Sequence, residues 1–189
     1  MLTWSWAQYL RDANLFAKAM HVVGVQDRKS VNIMGHNAPE WVIAFQGGVT
    51  FNCIVSGVYP TNNAEACFYQ AEHSEAELIV VDSVEQLKKY EANLHRLPHI
   101  KAIVVYTLDK LPSELKDKRF MVWKDFLALG KDVKDDIIKE KIKKQKPGKC
   151  CCLIYTSGTT GNPKACMLSH DNLCWTVESA QNQLAGAGE

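Results

Sequence analysis

Apolar positions along the chain follow two alternating rhythms. Trp6, Leu10, Ala13, Ala17 and Met20 recur at spacings of 4, 3, 4 and 3, which puts them on one face of a helix that Gly24 closes. Val31 to Gly35 reads as a short strand. Asn37 has the character of an N-cap, with Pro39 in the first turn and Glu40 three residues past the cap, and predicts a helix to about Asn52. Cys53 to Tyr59 predicts the next strand. Asn62 and Glu65 keep capping-box spacing and open a helix to about His73. Leu78 to Asp82 has the composition of a buried strand. Ser83 and Gln86 form another capping box. Val84, Leu87, Leu94 and Leu97 share a face of the helix that follows, and Pro98 ends it. Ile100 to Thr107 predicts one more strand.

Strand and helix alternate four times, which argues for an α/β fold: a parallel sheet with flanking helices. Four or five strands are expected. No internal repeat of fixed spacing occurs. Residues 108–122 read as a charged loop holding Pro112. Residues 131–149 carry eight lysines against four acids, which reads as a solvated helix face and linker. Such a run would also suit a peripheral contact with an acidic intracellular membrane surface. Residues 150–168 predict a hairpin-like pair set apart from the sheet.

Composition narrows the class. The chain has 189 residues, 47% hydrophobic and 23% charged, as expected of a globular domain rather than a disordered chain. Lys and Arg number 22 and Asp and Glu 21, so no global field draws the chain to nucleic acid. The longest apolar runs, Leu78 to Val81 and Ile103 to Tyr106, are too short for a transmembrane segment, and no secretory signal is visible. Seven cysteines, three of them contiguous, suit a reduced, cytoplasmic setting. Cys150, Cys151 and Cys152 alternate faces on a strand, so they cannot converge on one metal and read as small core residues.

The most biased stretch follows that strand: Thr156-Ser157-Gly158-Thr159-Thr160-Gly161-Asn162-Pro163-Lys164. Two glycines let successive N–H groups turn toward one point. Four hydroxyls add short donors, and Lys164 adds a point charge suited to phosphate. Thr156, Ser157, Gly158, Thr159, Thr160, Gly161 and Lys164 are therefore the candidate phosphate-binding residues. The order is not that of a P-loop, because Pro163 precedes Lys164, and no Gly-x-Gly-x-x-Gly is present. A flexible Gly/Ser/Thr turn has the same composition.

The whole string from Tyr155 to Lys164, followed by Met167-Leu168-Ser169-His170, resembles the phosphate-binding signature of the adenylate-forming (AMP-binding) superfamily. Three further stretches are similar to the long-chain acyl-CoA synthetases, and to their bubblegum group in particular. They are Asn37-Ala38-Pro39-Glu40-Trp41, Tyr59-Pro60-Thr61-Asn62-Asn63-Ala64-Glu65-Ala66-Cys67 and Leu97-Pro98-His99-Ile100-Lys101-Ala102-Ile103. The resemblance spans essentially the whole chain and is strongest at 37–106 and 150–175.

The resemblance implies a two-step ligase. A long-chain fatty acid carboxylate attacks the α-phosphate of ATP to give acyl-adenylate and pyrophosphate, and the thiol of coenzyme A then displaces AMP. Residues 156–164 would hold the β- and γ-phosphates, with Mg2+ sharing the charge. Where the family usually has Lys-Gly-Val, this chain has Lys164-Ala165-Cys166. The added Cβ is harmless at negative φ and strained at positive φ. The family's acidic Mg2+ motif (Tyr-Gly-x-Thr-Glu), its ribose-binding aspartate, its hinge and its small domain with the catalytic lysine are not found here. The chain is thus expected to be an N-terminal fragment, part of the large domain, with no catalytic residue and no metal ligand of its own. Its parts would be residues 1–107 (alternation), 108–149 (loop and basic linker) and 150–189 (phosphate-loop segment). A ligase for another carboxylic acid, and an inactive phosphate-binding or interaction fragment, remain the rival readings.

Other residues carry less. Ser169, His170 and Asp171 are adjacent, whereas a hydrolytic triad draws its members from separate segments. Ser169 instead reads as the cap of a helix to about Leu184. His95 and His99 are separated by the helix-breaking Pro98. Trp4, Trp6 and Trp41 read as packing residues.

Overall fold

Ser30–Met34 is buried at every position and forms the central strand, β1, of a computed structural model that describes residues 3–156 and 161–186. Two parallel partners flank it, β2 (Ile54–Val58) and β3 (Ala76–Val81). Beyond β3 lie β4 (Ala102–Val105) and β5 (Phe120–Val122), and beyond β2 lie β6 (Cys150–Thr156) and β7 (Lys164–Ser169). The sheet order is β5-β4-β3-β1-β2-β6-β7, and all pairings are parallel except β6 with β7.

Helices cover both faces, so the strands between them read as nearly unbroken apolar runs. On one face α1 (Trp6–Val22), α2 (Pro39–Thr50), α5 (Trp123–Leu129) and α6 (Asp135–Lys143) enclose a core that includes Phe16, Ile33, Leu78, Val104 and Phe126. On the other, α3 (Ala64–His73) and α4 (Val84–Glu91) cover Met34, Ile79, Val81, Ile103 and Val105. Alternate residues of one strand therefore serve different cores, as the two-residue period of a strand requires. A last helix, α7 (His170–Gly186), follows β7.

The α/β alternation and the parallel sheet agree with the sequence pattern, but several expectations fail locally. Among the described residues the sheet has seven strands, not four or five. Strand β5 lies in the stretch expected to be a loop, because three residues are too few to show alternation. The 150–168 hairpin is not set apart: β6 joins β2 through Val55↔Cys152 and Ser56↔Leu153, which buries Cys150 to Leu153 against the sheet. Helix α2 is entered from Ala38 rather than Asn37, with no side-chain cap. Helix α3 is capped by Asn63 rather than Asn62, its Oδ1 accepting from Ala66 N at 2.9 Å. Ser83 caps α4 as expected, but that helix stops at Glu91. Leu94 opens a short 3₁₀ turn, Leu94–Arg96, before Pro98 is reached. At the start of α1 Ser5 and Gln8 form a reciprocal capping box, which adds to the apolar spacing that predicts this helix.

The basic stretch is not only a solvated linker. Lys141 and Lys144 of α6 and the turn after it both bond Asp27. Lys141 also lies 4.1 Å from the centre of the Phe51 ring. Burial raises the Asp27 pKa, but the two lysines outweigh it and hold the carboxyl below its ordinary range. Gln145 Nε2 donates to Val49 O at 2.8 Å and Thr50 O at 3.2 Å, which satisfies carbonyls at the end of α2.

Gly130 ends α5 where that helix meets α1. A Cβ there would lie 2.4 Å from Leu15 O and 3.1 Å from Ala19 N, whereas one at Gly148 would meet nothing within 4 Å. Gly130→Ala is expected to destabilise the fold by about 1–3 kcal/mol. Gly148→Ala should change stability by less than about 0.5 kcal/mol. Urea unfolding of the two variants side by side checks the contrast.

Candidate phosphate-binding loop

Because β6 runs parallel to β1 and β2, its carboxyl end opens at the same edge of the sheet as theirs, the edge where α/β folds place ligands. The strand's alternation then sorts its last residues. Tyr155 turns inward and is 5% exposed, while Ile154 and Thr156 turn outward. Thr156 is the cross-strand partner of Lys164, and both are exposed. Gly161 has φ of +87°, the region that favours glycine, in open space. Of the seven candidate residues, Thr156, Gly161 and Lys164 stand at or near the mouth of the hairpin. Ser157, Gly158, Thr159 and Thr160 lie outside the described residues.

Ala165 lies in β7 opposite Tyr155 and is not among the described residues with positive φ. Its Cβ therefore costs no strain, and it packs against the small apolar cluster that includes its cross-strand partner Tyr155. The departure from Lys-Gly-Val is accommodated in regular strand.

Helix α3 braces this hairpin through residues that the sequence did not single out. Tyr69 Oη donates to Pro163 O at 3.0 Å. His73 Nδ1 lies 2.8 Å from Tyr155 Oη. At the other end of β6, Arg28 Nη1 donates to Cys150 O at 2.7 Å. Tyr69 and His73 look like ordinary members of an amphipathic helix, and nothing in a single sequence ties them to a loop some ninety residues later.

On the α2 side of the hairpin runs an open, largely apolar cleft of about 450 Å³, walled by Trp41, Phe45, Tyr59, Ile154, Leu168 and Leu173. Trp41 and Phe45 are stacked, with ring centres 5.8 Å apart. Trp41 packs against the core as expected, while Trp6 is 85% exposed. Ser169 Oγ accepts from Asn172 N at 3.1 Å, the capping role read from the sequence. Cys150, Cys151 and Cys152 are all buried. Among the described residues no group of three or more His, Cys, Asp or Glu could hold a metal. The donors at the mouth, a hydroxyl and a lysine, do not fit a resident Mg2+. No described helix is long and apolar enough to cross a membrane.

The family model described as AMP-binding enzyme matches residues 2–188. The chain belongs to the AMP-binding enzyme family. It is 44% identical over 178 residues to the long-chain-fatty-acid–CoA ligase ACSBG2 of Xenopus laevis, covering 93% of this chain and 23% of that protein. It is 41% identical over 173 residues to the long-chain-fatty-acid–CoA ligase ACSBG1 of Homo sapiens, covering 92% and 24%. The chain thus spans less than a quarter of the length of these relatives. Its fold matches a benzoate CoA ligase from Burkholderia xenovorans with a TM-score of 0.73 at 15% identity, over 93% of this chain and 31% of that one.

Burial around the β6–β7 hairpin also sets a pH limit. It pushes the Cys152 thiol up to about 11 and the Tyr155 phenol up to about 12, against ordinary values of 9.0 and 10.0. Elsewhere it pushes Cys53 and Tyr106 up to about 12. All four folded values exceed the unfolded ones, so their contribution is complete below about pH 9 and is lost as pH rises through about 9–12. The urea midpoint should therefore fall steadily across that window, with Cys152→Ala and Tyr155→Phe each flattening the decline.

Proposed function

We propose that these residues form the polyphosphate-holding part of a ligase that activates long-chain fatty acids with ATP and transfers the acyl group to coenzyme A. The observation that carries the proposal is the hairpin mouth, where exposed Thr156 and Lys164 face each other across the Gly/Ser/Thr-rich loop at the carboxyl edge of the sheet. The high identity to two long-chain-fatty-acid–CoA ligases supports the choice of acid and thiol.

In this reading Thr156, Ser157, Gly158, Thr159, Thr160 and Gly161 supply hydroxyl and backbone donors to the β- and γ-phosphates of ATP. Lys164 adds the positive charge. As the fatty acid carboxylate attacks the α-phosphate, negative charge builds on the departing pyrophosphate. Donors already aimed at that charge lower the barrier without reorganising. Lys164 begins a paired strand, so its backbone is fixed while its side chain is exposed at the mouth of the hairpin. We assign the work to the cytoplasm, with exposed Lys131, Lys134, Lys146 and Lys149 around α6 available for peripheral contact with an acidic membrane.

In a full-length ligase carrying this segment, Lys164→Ala should slow ATP–pyrophosphate exchange by about ten- to a hundredfold. That is the effect of losing one charge-assisted donor worth about 1.5–3 kcal/mol. Exchange at the wild-type rate would remove Lys164 from the site.

The 189 residues alone should make no acyl-CoA, because the sequence holds neither the acidic motif nor the small-domain lysine that the reaction calls on in this family. Incubation with ATP, Mg2+, coenzyme A and palmitate, followed by mass spectrometry, should show palmitoyl-CoA no higher than with Lys164→Ala. Clear turnover above that control would make the segment self-sufficient.

A further inference from the structure

We propose that Tyr69 and His73 of α3 are positioning residues for the phosphate loop, holding at a fixed spacing the two strands from which it springs. The proposal rests on the phosphate-binding reading of residues 156–164 and adds what keeps that loop in place. Its sequence of glycines and small hydroxyl residues brings little apolar surface to pack, so the two strand ends that anchor it would set where its donors point.

Those anchors need a support beyond the sheet. Among the described residues strand β7 has β6 as its single strand neighbour, and Lys164 and Met167 on it are exposed. Helix α3 grips the hairpin twice, each time one residue away from the loop's mouth. Tyr69 bonds the carbonyl of Pro163, next to Lys164. His73 bonds the hydroxyl of Tyr155, next to Thr156. Tyr69 and His73 are one helical turn apart and their rings stack, with centres 5.4 Å apart. The His73 ring meets Tyr155 edge-on at 5.7 Å. The two grips therefore form one unit, in which a shift of either ring disturbs the other.

The helix that carries them is itself tied to the middle of the sheet. Gln70, between the two, donates through Nε2 to Ser56 Oγ at 3.0 Å and Gly57 O at 2.8 Å on β2. Cys67, Phe68 and Ala71 sit in the core. The spacing of the loop's mouth is thus referred back to β2 through three polar side chains of α3, Tyr69, Gln70 and His73.

Loss of position and loss of stability separate here. Pro163 is exposed, so its carbonyl can turn to water when the Tyr69 hydroxyl is removed. The fold loses little. The donors of the loop lose their aim, and a displacement of about 1 Å is enough to cost on the order of a hundredfold in rate.

The test is ATP–pyrophosphate exchange driven by palmitate in a full-length ligase carrying this segment. Tyr69→Phe should lower kcat about tenfold and raise the KM for ATP. The KM for palmitate should stay within about twofold, and the melting midpoint within about 4 °C of wild type. His73→Leu should act in the same direction. His73→Gln, whose amide oxygen can accept from the Tyr155 hydroxyl, should recover most of the rate. A folded Tyr69→Phe enzyme with wild-type exchange overturns the proposal, as does an equal rise in both KM values, which is the mark of general loosening. Lys164→Ala, run in parallel, separates the two ideas. If it is slow while Tyr69→Phe is not, the positioning role falls and the phosphate site stands. If both are silent, the phosphate site falls and takes the positioning role with it. Should His73→Leu fail to fold, Tyr69→Phe decides alone.

Discussion

Two residue pairs, Val55↔Cys152 and Ser56↔Leu153, join the loop-bearing hairpin to the rest of the sheet. Everything proposed for the site depends on that short parallel ladder. It puts the end of β6 at the edge where β1 and β2 also end, and it brings Tyr155 within reach of His73. It is short because β6 leaves β2 after a few residues to run on with β7. The side chains around it make up the difference. Arg28 ties down the first carbonyl of β6, Tyr155 and Leu153 bury against Ile54 and Tyr69, and α3 holds the far end.

This division of labour also suits the chemistry proposed for the loop. The proposed site must receive and release a highly charged leaving group, and the exposure of Thr156 and Lys164 fits that task. The residues that fix them are placed one step away, on the inward side of the same strands, where Tyr155 is 5% exposed and the phenol keeps its proton. The alternation of a strand separates the wet function of one residue from the dry function of its neighbour.

Much of the fold was legible where a local signal existed. The strand–helix alternation, the Ser83 cap, the buried cysteines and the Gly161 turn all follow from short-range preferences. The misses have a common cause, which is that they concern contacts made at long range. Phe120-Met121-Val122 is a strand because β4 lies beside it, not because three residues announce one. Asn37 is as good a cap as Asn63 by composition, yet the chain enters α2 one residue later. The lysines of 131–149 look solvated until Asp27 and the open end of α2 are brought to them. Of the proposed site, Thr156, Gly161 and Lys164 were singled out by the sequence and stand at or near the hairpin mouth. Tyr69 and His73 were not, since their meaning depends on Pro163 and Tyr155, which only the folded chain places beside them.

The same long range shapes how the molecule comes into being. Arg28 and Cys150, which touch in the finished sheet, are 122 residues apart in the chain. During synthesis β1 to β5 can assemble while the residues of β6 have yet to emerge. Until they do, the outer side of β2 offers its unpaired N–H and C=O groups to any strand nearby. Closing a loop of that size is slow compared with the local pairings that precede it. The nascent chain therefore passes through an interval in which β2, the strand that will seat the hairpin, is an open and adhesive edge, and the arrival of Cys150 to Leu153 ends that interval.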